Sequence, residues 1–192
     1  MPHRFTILIS GAGGLMRRVV QTSQQPGSPF VVDRVIASRE CPGIEKARSL
    51  KIPTAVIPPD SEDLWPRIEF PDAPDSILLL GYLHLLPIPP RWCNKALNIH
   101  PSLLPKFGGP GMYGRRVHAA VLQSGDTTTG STIHLADDRY DHGPVLHQIK
   151  VPVLAGDTPE TLEARVIDAQ HRQIIPFLTH WAAEHSATVN CR

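Results

Sequence analysis

From Phe5 to Leu80 the chain repeats one pattern, in which short apolar runs alternate with segments of helical spacing. That alternation restricts it to an α/β layer built on parallel strands. Phe5 to Ser10 is a nearly continuous apolar run that stops at Gly11-Ala12-Gly13-Gly14, after which Met16, Val19 and Val20 recur at helical intervals. Pro26 to Pro29 make a loop. Val31 to Ser38 reads as a second strand, Ile44 to Leu50 as a short helix and Ala55 to Ile57 as a third strand. Ser61 to Ile68 reads as a helix whose first free amides Ser61 can cap. Asp75 to Leu80 has central-strand character and ends at Gly81.

The second half follows different rules. Tyr82 to Pro90 is apolar yet carries Pro87, Pro89 and Pro90, which remove backbone donors and prevent a regular element. It is either a buried connection or a pocket wall that presents backbone groups to a flat heterocycle. Leu97 to His100 begins like a buried strand and then breaks into a loop rich in Pro and Gly that ends at Tyr113. Tyr113 to Ser124 reads as an amphipathic helix stopped by Gly125. Thr129 to Ala136 alternates as a strand, with Thr132 and His134 on one face, and Val145 to Val153 is its expected antiparallel partner. Thr158-Pro159-Glu160-Thr161 starts the last helix, with Thr158 as N-cap, Pro159 at the first position and a reciprocal Thr/Glu-type cap. Leu162, Val166 and Ala169 continue that helix as far as an end blurred by Pro176. The expectation is an open, mostly parallel, doubly wound Rossmann-like sheet with a C-terminal antiparallel pair and a long C-terminal helix. We read 1–192 as one domain, with a phosphate- or nucleotide-binding half at about 1–95 and a catalytic half at about 96–192.

Composition narrows the partners. Nineteen basic against eighteen acidic residues leave a net charge of +1, and the cations are scattered, so neither nucleic acid nor an anionic membrane is an expected partner. The apolar run after Arg4 is too short for a signal peptide or a membrane span. Cys41, Cys93 and Cys191 are far apart and in no metal-like spacing, which predicts reduced thiols in a cytoplasmic protein. The histidines lack ligand-like companions, and no metal is expected. A small molecule is the expected partner.

Side chains two apart on a strand point the same way, so Asn98 and His100 project together from a strand end, where open α/β sheets place their ligands. The 137–141 linker adds carboxylates at Asp137, Asp138 and Asp141. An amide can donate to an oxyanion, an imidazole can carry a proton, and a carboxylate can hold that imidazole charged, a set suited to acyl-group chemistry. Neither Ser nor Cys stands in an elbow context, which favours direct transfer between two bound substrates. The glycine turn either presents amides to a phosphate or is a tight turn that binds nothing. Its glycines do not complete Gly-x-Gly-x-x-Gly, which disfavours NAD.

The run Asn98-Ile99-His100-Pro101-Ser102-Leu103-Leu104-Pro105, followed by Thr129-Gly130-Ser131-Thr132-Ile133-His134 and Asp141-His142-Gly143-Pro144, resembles the signature of the folate-dependent formyltransferases, in particular the branch that formylates glycinamide ribonucleotide (GAR). The resemblance covers most of the chain. It implies formyl transfer from 10-formyltetrahydrofolate, with Asn98, His100 and Asp141 as the catalytic trio. It also implies that Leu83, His84, Leu85 and Leu86 hold the folate opposite Asp137, Asp138 and Tyr140. Gly11, Ala12, Gly13, Gly14, Pro101, Gln170 and His171 would then meet a phosphorylated acceptor, and Leu104–Pro105 becomes a candidate cis bond. The implied partners are small molecules, with the chain a monomer or homodimer. Three departures stand out. Gly14 and Leu15 replace the usual Ser and Asn of the glycine loop, Gln170-His171 replaces a Glu-His pair, and the loop from Phe107 to Gly114 is long, in a version that belongs to one branch.

Overall fold

The computed structural model describes residues 1–69 and 71–186, so Cys191 lies outside the described residues. The chain forms two compact units, one of Met1–His84 with the chain from Ile174 onward, the other of Leu85–Gln173.

The first unit carries β1 (His3–Ile9), α1 (Gly14–Ser23), β2 (Phe30–Ala37), α2 (Pro42–Ser49), β3 (Thr54–Val56), α3 (Leu64–Glu69) and β4 (Ser76–Leu79). Its strands lie in the order β3-β2-β1-β4, all parallel. Ile7, Leu8, Val35, Ile36 and Ile77 are fully buried, as befits strands whose sequence is apolar without alternation. Ser61 accepts the Asp63 amide at 3.2 Å, so it caps the chain that leads into α3. At the strand ends Ser10 is a junction. Its hydroxyl meets that of Ser38 at 2.8 Å and accepts the Leu83 amide at 3.1 Å, while its own amide donates to the Gly81 carbonyl at 3.0 Å. These bonds fix the glycine turn after β1 and the start of the apolar loop after β4 from one residue.

The second unit carries β5 (Ala96–His100), α4 (Arg115–Ser124), β6 (Thr128–Leu135) and β7 (Val145–Pro152), preceded by a 3-10 turn at Pro90–Trp92. Here the strands are antiparallel in the order β5-β6-β7, so the antiparallel part extends one strand beyond the expected pair. Every residue of β6 after Thr128 is buried. Its polar face is covered by the segment that follows β5: Thr132 accepts the Leu104 amide at 3.0 Å and donates to the Ser102 carbonyl at 2.6 Å. Leu104–Pro105 is cis, as the resemblance implies. Gly125, at φ 73°, ends α4 in the left-handed conformation that glycine adopts without steric cost.

The last helix, α5 (Pro159–Ser186), departs from the sequence reading in two ways. Its reciprocal cap joins Thr158 to Thr161, amide to hydroxyl in both directions at 3.0 and 3.3 Å, and Glu160, which hydrogen-bonds Thr158, also reaches Arg115. It also runs through Pro176. That residue is exposed, and the apolar face continues with Leu178, Trp181 and Ala182, so burial beyond the proline outweighs one missing helical bond. The Trp181 indole donates at 3.1 Å to Ser76 of β4, whose hydroxyl also meets the buried His3 imidazole at 3.0 Å. No helix among the described residues is long and apolar enough to cross a membrane.

Gly130 shows how tightly the second unit is built. A Cβ there would overlap the Ile149 carbonyl of β7 and stand 2.7 Å from the Leu103 side chain. Gly130→Ala is expected to lower the unfolding free energy by about 2–3 kcal/mol, since a clash with backbone cannot be relieved by a rotamer change. Urea denaturation measures it.

Candidate active site

Pairing of β5 with β6 sets the geometry. Asn98 stands opposite His134 and His100 opposite Thr132. The loop between β6 and β7 then carries Asp141 to the same place. Asp141 Oδ1 lies 3.3 Å from His100 Nδ1, 3.3 Å from Asn98 Nδ2 and 3.5 Å from His134 Nε2, and Oδ2 accepts the Gly109 amide at 2.9 Å. Asp141 thus touches both of the other residues singled out in the sequence, Asn98 and His100.

Hydrogen-bond partners fix the imidazoles. His100 Nε2 lies 2.8 Å from the Phe107 carbonyl, which only accepts, and Nδ1 faces the carboxylate. Both ring nitrogens therefore donate, and His100 in this geometry is an imidazolium paired with Asp141. Burial by itself raises a carboxyl pKa. At Asp141 it is outweighed by hydrogen bonds from His100 and His134, by the His100 charge and by the Gly109 amide, which hold the group well below the usual carboxylate range.

His134 completes the cluster, and the sequence reading left it out. Its Nδ1 lies 2.8 Å from the Leu135 carbonyl and must donate, and its Nε2 lies 3.0 Å from Asn98 Nδ2 and 3.5 Å from Asp141 Oδ1. Alternation had put His134 on one face with Thr132, but only the antiparallel register shows that this face meets Asn98.

Two backbone features hold the cluster. Asp141 adopts φ 54°, a left-handed conformation that costs a non-glycine residue about 1 kcal/mol or more. Gly108 is hemmed in, since a Cβ there would stand 2.5 Å from the Leu104 side chain and 3.0 Å from Asp141 Cβ.

The other predicted residues are spread over both units. In the second, the Leu85 amide donates to the Tyr140 hydroxyl at 2.9 Å, joining the apolar loop to the 137–141 linker. Leu85 and Tyr140 are exposed while Leu86 is buried, so the loop is not simply core. Asp137 binds the Arg139 amide and His142, whereas Asp138 stands in solvent. Pro101 is half-buried after His100, and Gln170 and His171 are half-buried on α5. Gly11–Gly14, Leu83 and His84 belong to the first unit. There the Ser10, Gly11 and Ala12 carbonyls accept from Arg39 Nε at 3.2 Å, the Gly43 amide at 3.0 Å and Lys46 Nζ at 2.7 Å. Gly43 must be glycine, because a Cβ would lie 2.6 Å from the Gly11 oxygen. The α1 amides beside Gly13 have no side-chain cap.

An amide, an imidazolium and a carboxylate held in one buried cluster suit transfer of an acyl group, and comparison with known proteins gives the class. The chain belongs to the formyl transferase family, whose model matches residues 3–178. It is 32% identical over 188 residues to the phosphoribosylglycinamide formyltransferase of Escherichia coli K12, covering 93% of this chain and 86% of that protein. It is 40% identical over 181 residues to the chloroplastic phosphoribosylglycinamide formyltransferase of Arabidopsis thaliana, covering 88% of this chain. The chain spans about three-fifths of the length of the plant relatives, 62% and 57%. The crystal structure of phosphoribosylglycinamide formyltransferase from Brucella melitensis superposes with a TM-score of 0.84 at 37% identity, covering 95% of this chain and 97% of that one.

The depressed Asp141 pKa fixes the sign of a pH effect. The carboxylate stabilises the folded protein above its unfolded pKa, about 3.9, and that contribution is lost as pH falls below this toward the lower folded value. Asp141→Asn should therefore be less stable than the parent at pH 7 by an amount constant down to about pH 5, and the gap should close below about pH 4. Urea titrations across that range measure it.

Proposed function

We propose that the chain transfers the formyl group of 10-formyltetrahydrofolate to the primary amine of GAR, a step of de novo purine biosynthesis, as a single domain in the cytoplasm and as a monomer or homodimer. The observation that carries this reading is the doubly donating His100 beside the Asn98 amide, with the ionised Asp141 touching both. The names of the relatives above support the choice of acceptor.

In this reading the amine nitrogen attacks the formyl carbon directly, the carbonyl oxygen gains the negative charge, and the folate nitrogen leaves with the proton that the amine gives up. His100 and Asn98 donate to the oxyanion. Asp141, ionised throughout the working range, keeps His100 charged, and a water beside it relays the proton. Both donors of His100 are engaged in this structure, one of them with the Phe107 carbonyl. Donation from Nε2 to the oxyanion therefore requires the glycine-rich segment 107–114 to release the ring. Positive φ at Phe107, Gly109, Gly111 and Gly114 marks that segment as an irregular loop suited to such a rearrangement.

Substrate contacts follow the family pattern. The amides of Gly11, Ala12, Gly13 and Gly14 take the acceptor phosphate, with Pro101, Gln170 and His171 toward the rest of that molecule. Leu83, His84, Leu85 and Leu86 take the folate heterocycle together with Asp137, Asp138 and Tyr140. Gly14 and Leu15 in the glycine loop favour a second reading, formyl transfer to a different amine such as an amino sugar.

Incubation with 10-formyltetrahydrofolate and GAR, following tetrahydrofolate release, tests the proposal. Turnover is expected. Asn98→Ala and His100→Ala should each lower kcat by about 10²–10³-fold, the usual cost of an oxyanion donor, with the circular dichroism unchanged. A variant within a few-fold of the parent would remove that residue from the mechanism. Turnover with another amine and none with GAR would replace the acceptor.

A further inference from the structure

The Asp141 carboxylate reaches His100, Asn98 and Gly109 from a backbone conformation that an aspartate does not favour by itself. The flanking residues supply the restraint. On one side the Tyr140 hydroxyl accepts the Leu85 amide. On the other, His142 places Nδ1 2.9 Å from Asp137 Oδ2, and Asp137 Oδ1 accepts the Arg139 amide at 3.0 Å. The base of the loop is closed by the Leu135 amide on the Pro144 carbonyl at 3.0 Å, and a Cβ on Gly143 would overlap the Leu135 carbonyl. A side-chain contact, His142 to Asp137, joins this base to the residue beside Asp141. A carboxylate only accepts, so the histidine donates there whether its ring is neutral or charged.

We infer that His142 is a positioning residue, which by donating to Asp137 clips the 137–142 loop shut and keeps Asp141 in the conformation from which its carboxylate holds His100. The inference rests on the reading of Asn98, His100 and Asp141 as the transfer machinery, but not on the identity of the amine. His142 itself meets Asp137, with about half of its side-chain surface exposed. Its contact with Asp137 is thus of the partly solvated kind, whose loss changes an equilibrium by about threefold to fivefold.

The test compares His142→Ala with His142→Asn, whose amide can donate from nearly the same position. His142→Ala should lower kcat by about threefold to fivefold, with the KM for each substrate and the melting temperature close to the parent. His142→Asn should restore kcat. In ¹⁵N-histidine-labelled protein without substrate, the His100 Nδ1–H resonance should broaden by solvent exchange in the Ala variant and sharpen again in the Asn variant. An unchanged kcat or an unchanged resonance in His142→Ala overturns the inference, and so does an Asn variant as slow as the Ala variant. Failure of the parent to turn over GAR would instead refute the proposed acceptor, and the resonance would still decide the role of His142.

Discussion

A buried carboxylate is the constraint around which the second unit is arranged. An ion removed from water is tolerated only where charge and hydrogen bonds replace its hydration, and Asp141 finds the His100 imidazolium, the Asn98 amide and the Gly109 amide. These donors come from β5 and from the glycine-rich segment after it, while Asp141 itself sits on the β6–β7 loop. No one of the segments could carry the charge without the others. Removing a donor would leave an uncompensated anion, so the same contacts that shape the cluster also bind these segments together.

The sheet makes that meeting possible. Antiparallel pairing sets Asn98 opposite His134 and His100 opposite Thr132. A slip of one residue would turn both side chains of β5 to the other face. The register is held from outside the strands, because Thr132 is bonded to the backbone of Ser102 and Leu104 and to the Gln148 side chain at 2.9 Å. Gly130 lets β7 and the Leu103 side chain approach β6 more closely than any side chain would permit. The packing that orders the loop after His100 is therefore the packing that aims His100.

Much of this could be read from residues because it depends on local rules. The alternation of apolar runs, the Gly125 stop and the Ser61 and Thr158 caps are decided within a few residues, and the elements they predict differ from the observed ones by a few residues at their ends. Asn98 and His100 were legible as a pair because strand geometry alone puts them on one face. His134 was not, since its place depends on which strand pairs with β5 and in what register. The α5 helix outruns its proline because Trp181 is buried and bonded to Ser76, a contact 105 residues away in sequence. The cap at Thr158 follows from its own neighbours, Glu160 and Thr161, whereas the contact of Glu160 with Arg115 depends on packing against α4.

The distances in the cluster are unequal, and the inequality bears on how it works. Contacts to Asp141 Oδ1 lie at 3.3–3.5 Å, long for charge-assisted bonds, whereas the two bonds to the glycine-rich segment, His100 to Phe107 and Gly109 to Asp141, are 2.8 and 2.9 Å. Catalytic hydrogen bonds are often long without substrate and shorten when charge develops. The segment therefore holds imidazolium and carboxylate with the short bonds, and the long ones are left among the groups that, in the proposed reaction, respond to the formyl carbonyl. An oxyanion accepts more strongly than a peptide carbonyl, so the exchange proposed at His100, of Phe107 for the oxyanion, would be favourable only once negative charge has formed. In the proposed reaction, the hydrogen bond that orders the ring beforehand is the one whose replacement would favour the transition state over the bound substrate.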